Sequence, residues 1–168
     1  MAIRAPRMND LESETWVALL RVIELLPSAL DAQLQRDSNL THFEFFVLTV
    51  LRFAPDGTLR MTELAADTNS SLTRLSHVCK RLEQRELIER LPCPDDKRAT
   101  NVHLTTAGRR ELVRATPKHI ALARETVIDA LGADRLEAMR DGLRIIGEQL
   151  EPRPTASGGR RRSPFDVD

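Results

Sequence analysis

Residues 70–105, SSLTRLSHVCKRLEQRELIERLPCPDDKRATNVHLT, change their hydrophobic period halfway, and few folds accommodate the change. In the first half, apolar residues recur every three or four positions, the spacing of one helix face. At about 100° per residue, Leu72, Leu75, Cys79 and Leu82 fall on one side and Ser70, Arg74, His77, Arg81 and Gln84 on the other. In the second half, ELIERLP and NVHLT read as two short strands, the latter alternating Val102 and Leu104 against Asn101 and His103. A hairpin with a charged tip therefore follows the helix directly.

Upstream, TNSS supplies several helix N-caps, and the short helical segment MTELAAD precedes it. Two short helices joined so tightly predict a helix-turn-helix. Before them, LTHFEF opens another helix: Thr41 and Glu44 form a capping box, and Leu40 and Phe45 occupy the positions of a hydrophobic staple. That helix carries Val47, Leu48 and Leu51 and is broken by APDG. The chain's first helix spans Asp10 to about Gln35, kinked at Pro27, with Trp16, Leu19, Leu20, Ile23, Leu26, Leu30 and Leu34 on one face.

After Thr105 a helix runs to about Leu131, bent at Pro117 and stopped by Gly132. A last helix begins near Asp134. Its Leu136, Met139, Leu143, Ile146 and Leu150 form a heptad-like seam that needs a cover, either from this chain or from a second subunit. The segment 152–168 is rich in Pro, Gly, Ser and Arg and reads as disordered, and 1–9 reads as a flexible start.

At 168 residues the chain suffices for one compact unit. Aromatics are 4% and hydrophobic residues 41%, which favours helices packed through aliphatic side chains. The 25 basic and 25 acidic residues cancel, so any attraction to nucleic acid must come from local placement. Cys79 and Cys93 are too few for a disulfide framework and fit a reducing cytoplasm. The start MAIRAPRMND lacks the apolar core of a secretory signal, and no apolar run approaches the ~20 residues of a membrane span, so a soluble protein is expected.

The polar face of the 70–85 helix carries hydrogen-bonding and cationic side chains without a carboxylate in its stripe, which suits the major groove of DNA. Taken alone, such a face is more often simply solvated. The hairpin that follows changes the argument, because an arginine near its apex, Arg98, can enter a narrow minor groove. Asp95 or Asp96 would hold the guanidinium extended. The plainer reading of the tip is a charged turn that keeps an exposed hairpin from pairing with other strands.

In order, LTHFEFFVL, MTELA and SLTRLSHVCKRLEQRELIERLPCPDDKRATNVHLTTAG resemble the core of MarR-type winged helix-turn-helix transcriptional regulators, and the similarity spans about residues 11–150. Its most specific part is the wing pattern D-x-R-x-x-x-V-x-L-T, met by Asp96, Arg98, Val102, Leu104 and Thr105, with Gly108 following. The resemblance implies a mainly α fold with a small β-hairpin wing. One domain would cover 10–151, with a winged lobe at 40–108 and dimerisation helices at 10–35 and 109–151. It also implies a homodimer on a palindromic double-stranded operator, each recognition helix in a major groove and each wing in a minor groove. Leu136, Met139, Leu143, Ile146 and Leu150 would then serve dimerisation.

Carried over by position, Ser70, Ser71, Thr73, Arg74, His77 and Arg81 would face bases or phosphates, Lys97 a phosphate, and Arg98 the minor groove with Asp96 as its support. Members usually repress nearby genes and release DNA on binding a small, often aromatic and anionic effector. On that pattern Trp16, Arg21, Phe43, Phe46 and His119 are the candidate effector contacts. Two departures stand out: the stretch between ELA and LTR is short, and Ala99 occupies a position where glycine is common.

Other classes have less support. A thiol sensor needs an accessible thiolate, yet Cys79 lies on the apolar side and Cys93 sits between prolines. His42, His77, His103 and His119 are scattered, which disfavours a metal site. No Gly-rich phosphate loop, G-x-S-x-G or H-E-x-x-H occurs, so neither an enzyme nor a cofactor is expected. The remaining rival is a helical dimer that acts through protein contacts alone.

Overall fold

The computed structural model describes residues 7–93, 96 and 98–150. The expected tail at 152–168, and the tip residues Asp95 and Lys97, lie outside the described residues. The chain runs α1 (Asp10–Ser38), α2 (His42–Phe53), β1 (Thr58–Arg60), α3 (Met61–Asp67), α4 (Leu72–Gln84), β2 (Ile88–Pro92), β3 (Thr100–Leu104), α5 (Thr106–Ala123), α6 (Asp129–Leu131) and α7 (Ala133–Leu150). A π-helical turn, Arg124–Ile128, joins α5 to α6. The architecture is mainly α with a small sheet.

Polar side chains set most boundaries. Asn9 caps α1 by accepting from the Glu12 amide, and Asn39 ends it in the left-handed conformation, φ 51°. Thr41 and Glu44 form the expected capping box: Thr41 Oγ1 accepts from the Glu44 amide at 3.1 Å, and Glu44 Oε2 accepts from the Thr41 amide at 2.8 Å. Thr105 caps α5 through the Gly108 amide at 2.9 Å. Gly132, at φ 74°, separates α6 from α7 as the sequence predicts.

Two expectations are corrected. The hairpin is part of a three-stranded antiparallel sheet of order β1-β3-β2, in which Leu59 pairs with Val102 and Arg90 with Val102 from the other side. Three residues are too few to show an alternating pattern, so β1 escaped the sequence reading. The helix expected from Ser70 begins at Leu72, with Ser71 as its cap, and Leu72 is 50% exposed rather than part of the apolar face. Leu75, Val78, Cys79 and Leu82 form that face instead.

The core gathers where α2, α4, α5 and the sheet meet. Leu34, Leu40, Val47, Leu48, Leu51, Leu64, Leu75, Leu82, Val102 and Leu104 are wholly sealed. The molecule's two ends differ from this centre. Leu11, Val17, Ile23 and Leu25 on α1 are more than half exposed, and α7 has no buried residue.

At the junction of α1, α2 and α5 the His42 and His119 rings lie 5.9 Å apart, and Phe45 is 4.4 Å from His119. The His42 amide donates to Asp31 Oδ1 at 2.8 Å, while His119 Nδ1 is buried without a hydrogen-bond partner. Burial holds both imidazoles below their ordinary value of 6.5; Asp31 opposes the shift at His42, and His42 adds to it at His119.

Two outcomes are expected. At Gly108 a Cβ would collide with the Leu87 carbonyl and with Leu104. Gly108→Ala should therefore cost about 1 to 3 kcal/mol in denaturant unfolding, and an unchanged midpoint would show that the contact relaxes freely. The histidines set a pH dependence. Because the unfolded chain takes up protons first as pH falls below 6.5, stability is complete above that value and declines on acidification toward the lower folded values. Thermal midpoints should drop from about pH 7 to about pH 5, less steeply in His119→Asn; parallel curves for the two proteins would contradict the assignment.

Candidate nucleic-acid interface

Because α4 buries Leu75, Val78, Cys79 and Leu82, its remaining side chains are turned outward. Ser71, Thr73, Arg74, Ser76, His77, Lys80, Arg81 and Gln84 are exposed, and the helix has no acidic residue in its first turn. Ser70 is half-buried in the preceding turn, its hydroxyl 3.2 Å from Thr68 Oγ1.

The wing stands beside this helix. Its tip is closed by the Cys93 amide donating to the Ala99 carbonyl at 3.1 Å and the Ala99 amide to the Asp96 carbonyl at 2.9 Å. Asp96 Oδ1 accepts from the backbone amide of Arg98 at 2.9 Å. The expected support is thus a turn bond that fixes the Arg98 backbone, a different contact from the guanidinium brace read in the sequence. Arg98 itself is exposed.

Helix and wing share a groove of about 360 Å³, lined by Arg60, Met61 and Thr62, by Leu72 and Ser76 of α4, by Arg90 of β2, and by Arg98, Ala99 and Thr100. Arg90 ties the wing to the helix: its Nη2 donates to the Ser76 carbonyl at 3.0 Å, and its Nε lies 3.4 Å from Glu83 Oε2. Arg60, Ser76 and Arg90 are additions that the helical pattern did not reveal. Arg60 arrives through β1, the strand missed in the sequence.

Two stripe residues are engaged inside the subunit. The Arg74 guanidinium carbon sits 4.2 Å from the Phe43 ring centroid, and Arg81 Nε donates to the buried Glu44 Oε1 at 2.9 Å. Phe43 is therefore already paired. Of the other effector candidates, Phe46 packs against the core, His119 adjoins Phe45 and His42, and Trp16 is 48% exposed on α1. Arg21 lines an apolar groove of about 460 Å³ with Val22, Leu25, Leu26, Val127, Leu131 and Met139, and none of the other four candidates lines it.

Both cysteines are free and buried. Burial pushes the Cys79 thiol up to about 11, with Arg90 pulling it down and Glu83 pushing it up, so little thiolate is available to react with an oxidant. Among the described residues, no three His, Cys, Asp or Glu side chains cluster to hold a metal ion, and no helix is long and apolar enough to cross a membrane.

Comparison with known proteins follows the same geometry. A sequence model of the MarR family matches residues 40–100, from the start of α2 to the first residue of β3. The uncharacterized HTH-type transcriptional regulator YdcH of Bacillus subtilis is 32% identical over 81 residues, 47% of this chain, and the match spans only 55% of that relative's length. The crystal structure of Sco3205, a MarR family transcriptional regulator from Streptomyces coelicolor, in complex with DNA, superposes with a TM-score of 0.83 at 34% identity, covering 91% of this chain and 97% of that one. AbsC, a MarR family transcriptional regulator of the same organism, gives 0.80 at 32% identity, with 87% and 98% covered. The helix-turn-helix, the wing and this agreement over nearly the whole length of two solved relatives place the chain in the MarR family of transcriptional regulators.

Proposed function

We propose that this chain is a homodimeric, sequence-specific DNA-binding repressor whose affinity for a palindromic operator is set by a small-molecule effector. The observation that carries the reading is the groove shared by α4 and the wing, where Arg60, Arg90 and Arg98 meet the first turns of an outward-facing polar helix. A chain with no net charge has no long-range pull on DNA, so affinity must come from such local concentration. The similarity to Sco3205, whose structure holds DNA, supports the same assignment.

In this reading Ser71, Thr73, Arg74 and His77 approach base edges or adjoining phosphates, Ser70 orders the turn before them, Lys97 meets a phosphate, and Arg98 enters the minor groove on the turn held by Asp96. Residues 40–108 form the reading lobe, and 10–35 with 109–151 pair two subunits. The seam supports pairing, because Leu143, Ile146 and Leu150 are 42 to 78% exposed and Leu136 and Met139 are only half-covered. Apolar side chains in such a row gain about 25 cal/mol per Å² when a second copy covers them. The Arg21 groove and the Phe43 and His119 neighbourhoods are the places for an effector, and a coupling of about 1 to 3 kcal/mol would suffice.

A mobility-shift titration tests the reading. Affinity for an operator selected from genomic fragments should fall steeply with salt, with a log–log slope of about 0.9 per phosphate contacted. A dimer that acts through protein contacts alone would give no duplex-specific shift at any salt. Arg98→Ala should weaken binding, most on duplexes with A·T-rich flanks, and an unchanged profile on such flanks would remove Arg98 from the minor groove.

A further inference from the structure

The corner where α1 ends and α2 begins grips α4 at three points. Arg74, Arg81 and Arg85 are spaced seven and four apart, so they form one stripe of the helix. Arg85 Nη1 donates to the Asn39 carbonyl at 2.7 Å and Nη2 to the Ser38 carbonyl at 3.3 Å, at the negative end of α1. Arg81 Nε donates to Glu44 Oε1 at 2.9 Å, and the Glu44 side chain is 5% exposed. The Arg74 guanidinium carbon lies over the Phe43 ring, 4.2 Å from its centroid. One helix face is thus fixed by residues 38–44, three of whose groups are backbone or buried.

We infer that this corner is the positioning device of the recognition helix: it sets the rotation of α4 about its own axis, and with it the side chains that reach base edges. The inference rests on the DNA-binding reading and deepens it. Arg81 and Arg85 then act as positioning residues, and Glu44 is their anchor. Phe43 has a second task. The cation–π contact restrains the Arg74 guanidinium before DNA arrives, and no conventional hydrogen bond to Phe43 consumes its N–H donors. An arginine preorganised in this way loses less freedom on binding than a mobile one.

The geometry separates discrimination from general affinity. Binding of the full-length protein would be measured against a selected operator and a scrambled duplex, with thermal midpoints recorded for each variant. Phe43→Leu keeps an apolar side chain but loses the ring, and should lower the operator-to-scrambled ratio at least about fivefold. Phe43→Trp should restore the ratio. In an Arg74→Ala background, Phe43→Leu should add nothing further, since the ring acts through that arginine.

Arg81→Gln retains a donor for Glu44 and should also lower the ratio while leaving the salt slope unchanged. A slope reduced by about one would mark Arg81 as a phosphate contact and overturn its positioning role. Equal losses on both duplexes, or additive effects of Phe43→Leu and Arg74→Ala, would overturn the inference for Phe43. If the wild-type protein fails to distinguish the two duplexes, the DNA-binding reading falls and the inference with it. If the wild type discriminates and well-folded variants keep its ratio, only the inference falls.

Discussion

A carboxylate sealed from water must be met by donors, and Glu44 organises this molecule because its donors come from two different elements. One oxygen takes the Thr41 amide and starts α2; the other takes Arg81 and fixes α4. Removing either partner would leave a buried charge half satisfied, which costs more than the bond itself contributes. The angle between these two helices is therefore specified by chemistry that tolerates little rotation, while the aliphatic core between them supplies most of the stabilisation.

The sheet extends the same logic to the wing. β3 is paired on both edges, and its inward residues Val102 and Leu104 are wholly buried, so a slip of one residue would expose both. Arg90 then bridges β2 to the Ser76 carbonyl of α4. Helix, corner and wing consequently hold fixed relative positions, which suits a surface that has to match the regular geometry of a duplex.

Much of this was legible in the residues themselves. The Thr41–Glu44 box, the alternation at 101–104 and the stop at Gly132 are local signals, complete within a few positions, and all appear in the structure. What failed depended on distant partners. The strand Thr58–Arg60 exists because it pairs with the edge of β3 that β2 leaves uncovered, Leu72 lines the open groove between α4 and the wing, and the partners of Arg74 and Arg81 lie in α2, more than thirty residues earlier. A helical wheel shows which way a side chain leaves the axis. It cannot show what waits there, so charged residues read as outward came to rest against their own chain.

Helix α1 has 29 residues, about 43 Å at 1.5 Å per residue, and Arg85 grips its final carbonyls. A rod of that length multiplies angle into displacement. Tilting it by about five degrees around its free apolar end would carry the other end by roughly 4 Å, more than the whole reach of a hydrogen bond. A small change of angle at the apolar end is thereby magnified into a displacement at the α1–α2 corner that Arg85 and Glu44 hold against α4, with no need for any residue of α4 to change its own shape.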